Sequence, residues 1–100
     1  MISVYITCKT EKEAIKISKH LLKKRLIACS NTFPIKRGYW WNKKIVNDTE
    51  IVILAKTIGK NYGKIIKEVK KLHSYKTPCI LKFNIEANKE YEEWVKKETR

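Results

Sequence analysis

Acidic side chains are scarce in this chain of 100 residues: ten Asp and Glu stand against 23 Lys and Arg, a formal charge of +13. Glycine and proline are also sparse, at three and two, which excludes a low-complexity segment or a flexible linker and points to one continuous domain over residues 1–100. No apolar run approaches the roughly 18 residues that a membrane-spanning helix needs. The first residues, MISVYITC, read directly as a strand, with neither a basic leader nor a cleavage site, so the expected location is the cytoplasm and no membrane partner is expected. Cysteines number three, Cys8, Cys29 and Cys79. Being odd in number and far apart, they exclude a disulfide framework and a paired-cysteine zinc knuckle, and they suit a reducing compartment.

The excess of lysine invites an anionic partner, because a basic surface attracts phosphate. The lysines are spread over both helical segments, the tail and the arm described next, so a solvated basic surface is the first reading and an anionic partner the second. Hydrophobic residues make up 43% of the chain and include three Trp, five Tyr and two Phe, enough for one core.

Apolar residues then define the elements. Ser3 to Cys8 alternates as a strand. Thr10 is the expected N-cap of a helix over Glu11–Arg25, with Glu13 completing a capping box and Ala14, Ile15, Ser18, Leu21 and Leu22 forming the packed face. Two long strand patterns follow, residues 26–41 and 45–57, joined through Asn42, Lys43 and Lys44 beside Tyr39, Trp40 and Trp41. A strand of about fourteen residues reaches about 45 Å, more than a domain of this size spans comfortably. Such an arm, tipped with aromatics, needs a cover, and a second copy of the chain is the commonest one. Pro34 and Gly38 are expected to bend or bulge the first arm strand, and the apolar run Ile51–Ala55 to be a central strand covered on both faces. Asn61 is the expected cap of a second helix over residues 62–73, residues 79–85 read as a last strand, and Asn88 is the expected cap of a short terminal helix bearing Tyr91, Trp94 and Val95. The order βαββαβ plus a helix is the ferredoxin-like α+β arrangement, an antiparallel sheet with two helices on one face.

The residues also resemble a known family, the CutA or divalent-ion tolerance proteins. The resemblance runs along nearly the whole chain: KRLIACSN at 24–31, Pro34, YWW at 39–41, Lys56 and Thr57, HSYKTP at 73–78, and Asn88, Tyr91 and Trp94. It implies a PII-like homotrimer with exchanged arms, associated with divalent-cation tolerance, without enzymatic activity or a required cofactor. Copper, another divalent metal or a small anion is the implied ligand, held in a cleft between subunits. The expected cleft residues are Cys29, Lys56, His73 and Tyr75, and the expected trimer contacts are Tyr39, Trp40, Trp41 and Trp94. This chain has Ser74, Lys76 and Cys79 where members commonly carry Pro, Glu and Glu, so the loop lacks two carboxylates and favours a soft metal or an anion over a hard cation.

The expected metal ligands are Cys29, His73 and Cys79, from thiolate and imidazole chemistry; each also has a structural reading, as a buried thiol or a helix-terminal imidazole. The third ligand beside His73 and Cys79 comes from Cys29, from Cys8 or from another subunit; Cys8 is otherwise expected to be core, and His20 surface. A nucleic-acid-binding module is the alternative function, because ferredoxin-like sheets can stack bases. It is disfavoured because no run with alternating aromatics occurs on the first or third strand. An acylphosphatase-like enzyme would need a phosphate-cradling loop that Lys9, Thr10 and Glu11 do not form.

Overall fold

The computed structural model describes residues 1–100. Strand β1 (Ile2–Cys8) leads into helix α1 (Glu11–Lys23). Strands β2 (Cys29–Trp41) and β3 (Lys44–Thr57) form the arm, a 3₁₀ turn (Gly59–Asn61) opens helix α2 (Tyr62–Leu72), and β4 (Ile80–Asn84) precedes helix α3 (Lys89–Glu98). The sheet order is β2-β3-β1-β4, antiparallel throughout. This is the expected ferredoxin-like arrangement.

The two faces of the sheet differ in what covers them. Ile2, Val4, Ile6 and Cys8 of β1, with Ile53 and Ala55 of β3, pack against Ala14, Ile17 and Leu21 of α1 and against Ile65 and Val69 of α2. The opposite face presents Tyr5, Leu54, Phe33, Leu81 and Phe83. Directly paired residues share a face, and the pairs Tyr5↔Leu54, Tyr5↔Leu81, Ser3↔Phe83 and Phe33↔Val52 place these side chains together. Val52 is fully buried there, whereas Phe33, Leu81 and Phe83 are 39%, 45% and 48% exposed.

The arm overshoots as its length predicts. Pairing with β1 ends at Cys8↔Ile51, while β2 and β3 continue to pair alone from Ile35↔Glu50 to Trp41↔Lys44. Those seven rungs extend about 23 Å at strand rise, and the longest dimension of the molecule is 46 Å. Trp40, Trp41 and Ile45 at the tip are 72%, 65% and 64% exposed. The turn is tighter than expected: Asn42 and Lys43 alone turn the chain, both at positive φ (48° and 64°), and Lys44 belongs to β3. Two such residues make the type of hairpin turn whose twist matches the strands.

Several local expectations are corrected. Pro34 makes no bulge; the register runs unbroken through Pro34↔Ile51 and Gly38↔Asn47, because β2 is an edge strand and a residue without an N–H can face away from the ladder. Leu26 and Ile27 are buried but precede the strand, which starts at Cys29. On α1 the packed residue is Ile17, and Ile15 and Leu22 lie exposed. Thr10 caps α1 by accepting from Glu13 N–H at 3.1 Å, yet the Glu13 carboxylate accepts from Lys9 N–H, not from Thr10. Asn61 does not cap α2 with its side chain. It is buried, and its amide nitrogen donates to the Leu26 carbonyl at 3.2 Å and to Thr57 Oγ1 at 3.3 Å, tying the loop before β2 to the end of β3. Asn88 precedes α3 with no side-chain cap bond.

Candidate functional site

Chemistry-bearing side chains gather where β1 ends. His73, the residue after α2, donates its Nε2 proton to the Thr7 carbonyl at 2.7 Å, and its Nδ1 accepts from Tyr75 N–H at 3.0 Å. The carbonyl cannot donate and the amide cannot accept, so the neutral tautomer carries its proton on Nε2. Beside it, Glu13 accepts from Ser74 N–H at 2.8 Å and from Lys9 N–H at 3.1 Å. Burial opposes its charge, but the bonds from Ser74 and Lys9 hold its carboxyl below the usual value. Cys8 completes the group: the ligand atoms of Cys8, Glu13 and His73 lie within 4.8 Å of one another. Burial, reinforced by the charges of Glu13 and Glu50, pushes the Cys8 thiol up to about 12. The sulfur is therefore a thiol at neutral pH, and a metal must displace its proton to bind.

A polar network links this cluster to the base of the arm. The His73 and Tyr75 rings stand 4.8 Å apart, and Tyr75 donates its hydroxyl to Glu50 Oε2 at 2.8 Å. Glu50, 3% exposed, also pairs with Arg37 at 3.0 Å. Arg37 donates through Nε and Nη2 to Asp48, at 2.6 and 3.2 Å, and lies 4.1 Å from the centre of the Tyr39 ring. Arg37 holds the Asp48 carboxyl below its usual value. Burial and the Glu50 acceptor push the Tyr75 hydroxyl up to about 12. In front of the network lies a cavity of about 410 Å³ lined by Arg37, Tyr39, Trp41, Tyr75, Lys76 and Thr77.

Cys29 and Lys56 lie elsewhere. They pair with each other, and Lys56 pairs with Ser3, whereas His73 bonds to Thr7. Four residues along β1 separate the two places, about 13 Å. At the Cys29 end the Tyr91 hydroxyl lies 2.9 Å from Cys29 Sγ; burial and this contact push Tyr91 up to about 12. Lys56 donates to the side-chain oxygen of Asn31 and, at 3.4 Å, to the Leu54 carbonyl. Cys79 accepts from Thr7 N–H through its backbone carbonyl, 3.4 Å away, but its side chain is exposed and outside the ligand group. Within one chain, the expected trio Cys29, His73 and Cys79 therefore does not converge, and the thiol that meets His73 is Cys8. Cys8 stood in the sequence only as an alternative third ligand, Glu13 only as a capping residue, and Arg37, Asp48 and Glu50 were not singled out. Glu50 alone left a signal, an acid entering an apolar strand. His20 is a correction too, since it is half-buried and bonded to Glu68 at 2.9 Å.

An antiparallel ferredoxin-like sheet with a protruding aromatic arm and a terminal helix defines a class of small α+β protein. The CutA1 divalent ion tolerance protein family model matches residues 2–98, and the chain belongs to that family. The divalent-cation tolerance protein CutA of Archaeoglobus fulgidus is 44% identical over 93 residues, 92% of this chain and 91% of its own. The crystal structure of CutA1 from Pyrococcus horikoshii superimposes with a TM-score of 0.95 at 36% identity, covering 100% of this chain and 99% of that one. A PII-like CutA from Nostoc shares the fold, with a TM-score of 0.91 at 20% identity, covering 100% of this chain and 98% of that one.

Proposed function

We propose that this chain is a non-enzymatic homotrimeric protein of divalent-cation tolerance that binds copper at the end of β1 and carries a small-ligand cleft between subunits. The observation that supports it most is the convergence of Cys8, Glu13 and His73. Sulfur and imidazole are ligands for copper, and a single carboxylate is too few for Mg²⁺ or Ca²⁺, which require several oxygens. The unpaired arm and the apolar outer face of the sheet support assembly, with Tyr39, Trp40, Trp41 and Trp94 as the candidate contacts between subunits. Lys56, Cys29, His73 and Tyr75 remain the candidate cleft residues; the roughly 13 Å between the two pairs means that a cleft using all four takes them from different subunits. Copper would take Nδ1 of His73, the one lone pair of the ring, in place of the Tyr75 N–H, since Nε2 carries the proton donated to Thr7. The free cysteines suit the reducing cytoplasm, although the Archaeoglobus fulgidus relative is described as periplasmic. No helix is long and apolar enough to cross a membrane.

Titration of the reduced protein with Cu(I) against a competing chelator tests the metal reading. Cys8→Ser and His73→Ala are each expected to lower affinity at least about tenfold, near 1.4 kcal/mol, and Cys29→Ser to leave it within about twofold. Equal losses for Cys29→Ser and Cys79→Ser would restore the trio Cys29, His73 and Cys79, shared across subunits. No loss in any variant would leave an anionic ligand near Lys56 and Lys76 as the remaining reading.

A further inference from the structure

The helix layer carries a pattern that the copper reading leaves unused. Lys12, Lys16, Lys19 and Lys23 recur along α1 at spacings of four, three and four residues, and Lys60, Lys64, Lys67 and Lys71 recur identically along α2 and its leading turn. On a helix such spacing puts each set on one face, and all eight are exposed. The helices lie side by side, since His20 and Lys24 of α1 both reach Glu68 of α2, each at 2.9 Å. Where the end of α1 meets the start of α2, a concavity of about 400 Å³ is lined by Lys23, Lys24, Lys64, Lys67, Arg100 and Glu68, with Leu26 as its one apolar wall.

Glu68 is the sole acidic side chain lining this concavity, and its oxygens are committed: Oε1 to His20 and Lys24, Oε2 to Lys71 at 2.9 Å. Lys23, Lys64, Lys67 and Arg100 make no ion pair. Four unpaired cations around one hollow focus a positive potential there. The end of α1 contributes a partial negative charge there, which Lys23 and Lys24 offset. The hollow is also separate from the thiol cluster: Glu13 and Lys23 are ten residues apart on α1, about 15 Å.

We propose that this hollow binds a chain of phosphate groups. Several cationic donors spread around an open concavity of about 400 Å³ match repeated, evenly spaced anionic groups, whereas one orthophosphate offers them a single anionic centre. With a single Leu and no aromatic side chain in the lining, there is no platform on which a nucleobase would stack. The phosphate chain itself is the recognised element, whether free or as the tail of a nucleotide, and the two lysine rows let a longer chain extend out of the hollow.

Isothermal titration of the full chain with tripolyphosphate, at about 50 mM salt where screening is modest, tests this. The double variant Lys64→Gln/Lys67→Gln is expected to weaken binding at least about tenfold. Lys43→Gln/Lys44→Gln at the arm tip removes the same charge and is expected to change it less than about twofold; surface substitutions of this kind leave the fold intact. A nucleoside triphosphate is expected to bind as tightly as tripolyphosphate, and orthophosphate at least about tenfold more weakly. Equal losses in the two double variants would reduce the effect to diffuse charge and overturn the site. Equal binding of orthophosphate, or a nucleotide preference of about tenfold or more, would overturn recognition of the phosphate chain.

Discussion

Glu68 shows how one side chain organises a surface of uniform sign. It is 7% exposed in a layer of lysines and accepts from Lys71, His20 and Lys24. Lys71 above all, with His20 and Lys24, holds its carboxyl far below the usual value of 4.5. A folded-state value below the unfolded one means that the unfolded chain binds the proton more readily, so the contribution is whole above about pH 4.5 and is lost as pH falls toward the folded value. The denaturant midpoint of the native protein is accordingly expected to be level from neutral pH to about pH 5 and to fall below it. Glu68→Gln is expected to have a lower midpoint at neutral pH and a shallower decline in acid. Parallel declines in the two proteins would assign acid sensitivity to other groups.

Among the elements, the arm is where sequence and structure agree best, because its signal is length and periodicity, which survive any tertiary context. Its tip is the exception. Lys43 adopts φ 64°, a region that costs a side-chain-bearing residue roughly 1 kcal/mol and costs glycine nothing. Lys43→Gly is expected to raise stability by a few tenths to about 1 kcal/mol, since the added flexibility of the unfolded chain offsets part of the relief. Chemical denaturation followed by Trp fluorescence measures it, and a loss of stability would mean that the turn carries no strain. The helices were less legible. Ile15 and Ile17 both satisfy an apolar pattern, and only the packing of α1 on the sheet selects Ile17. The site was least legible of all: Cys8 reads as an ordinary strand residue, and its meeting with His73 depends on α2 returning to the end of β1. Asn61 stood where a cap belongs, yet burial beside Leu26 and Thr57 gave its amide other partners.

At the scale of the whole molecule, one fact dominates. A chain with a formal charge of +13 leaves Phe33, Leu81 and Phe83 exposed on one sheet face and Trp40, Trp41 and Ile45 exposed on its arm. A monomer rarely displays two such patches, and a rotationally closed assembly of identical chains can cover both at once, with each arm laid on a neighbour. The network from His73 through Tyr75 and Glu50 to Arg37 runs from the thiol cluster to the base of that arm. Sedimentation equilibrium at micromolar concentration tests the assembly most directly. A single species at three times the 11.9 kDa chain mass is the expected result, and a monomer that persists across the concentration range would contradict it.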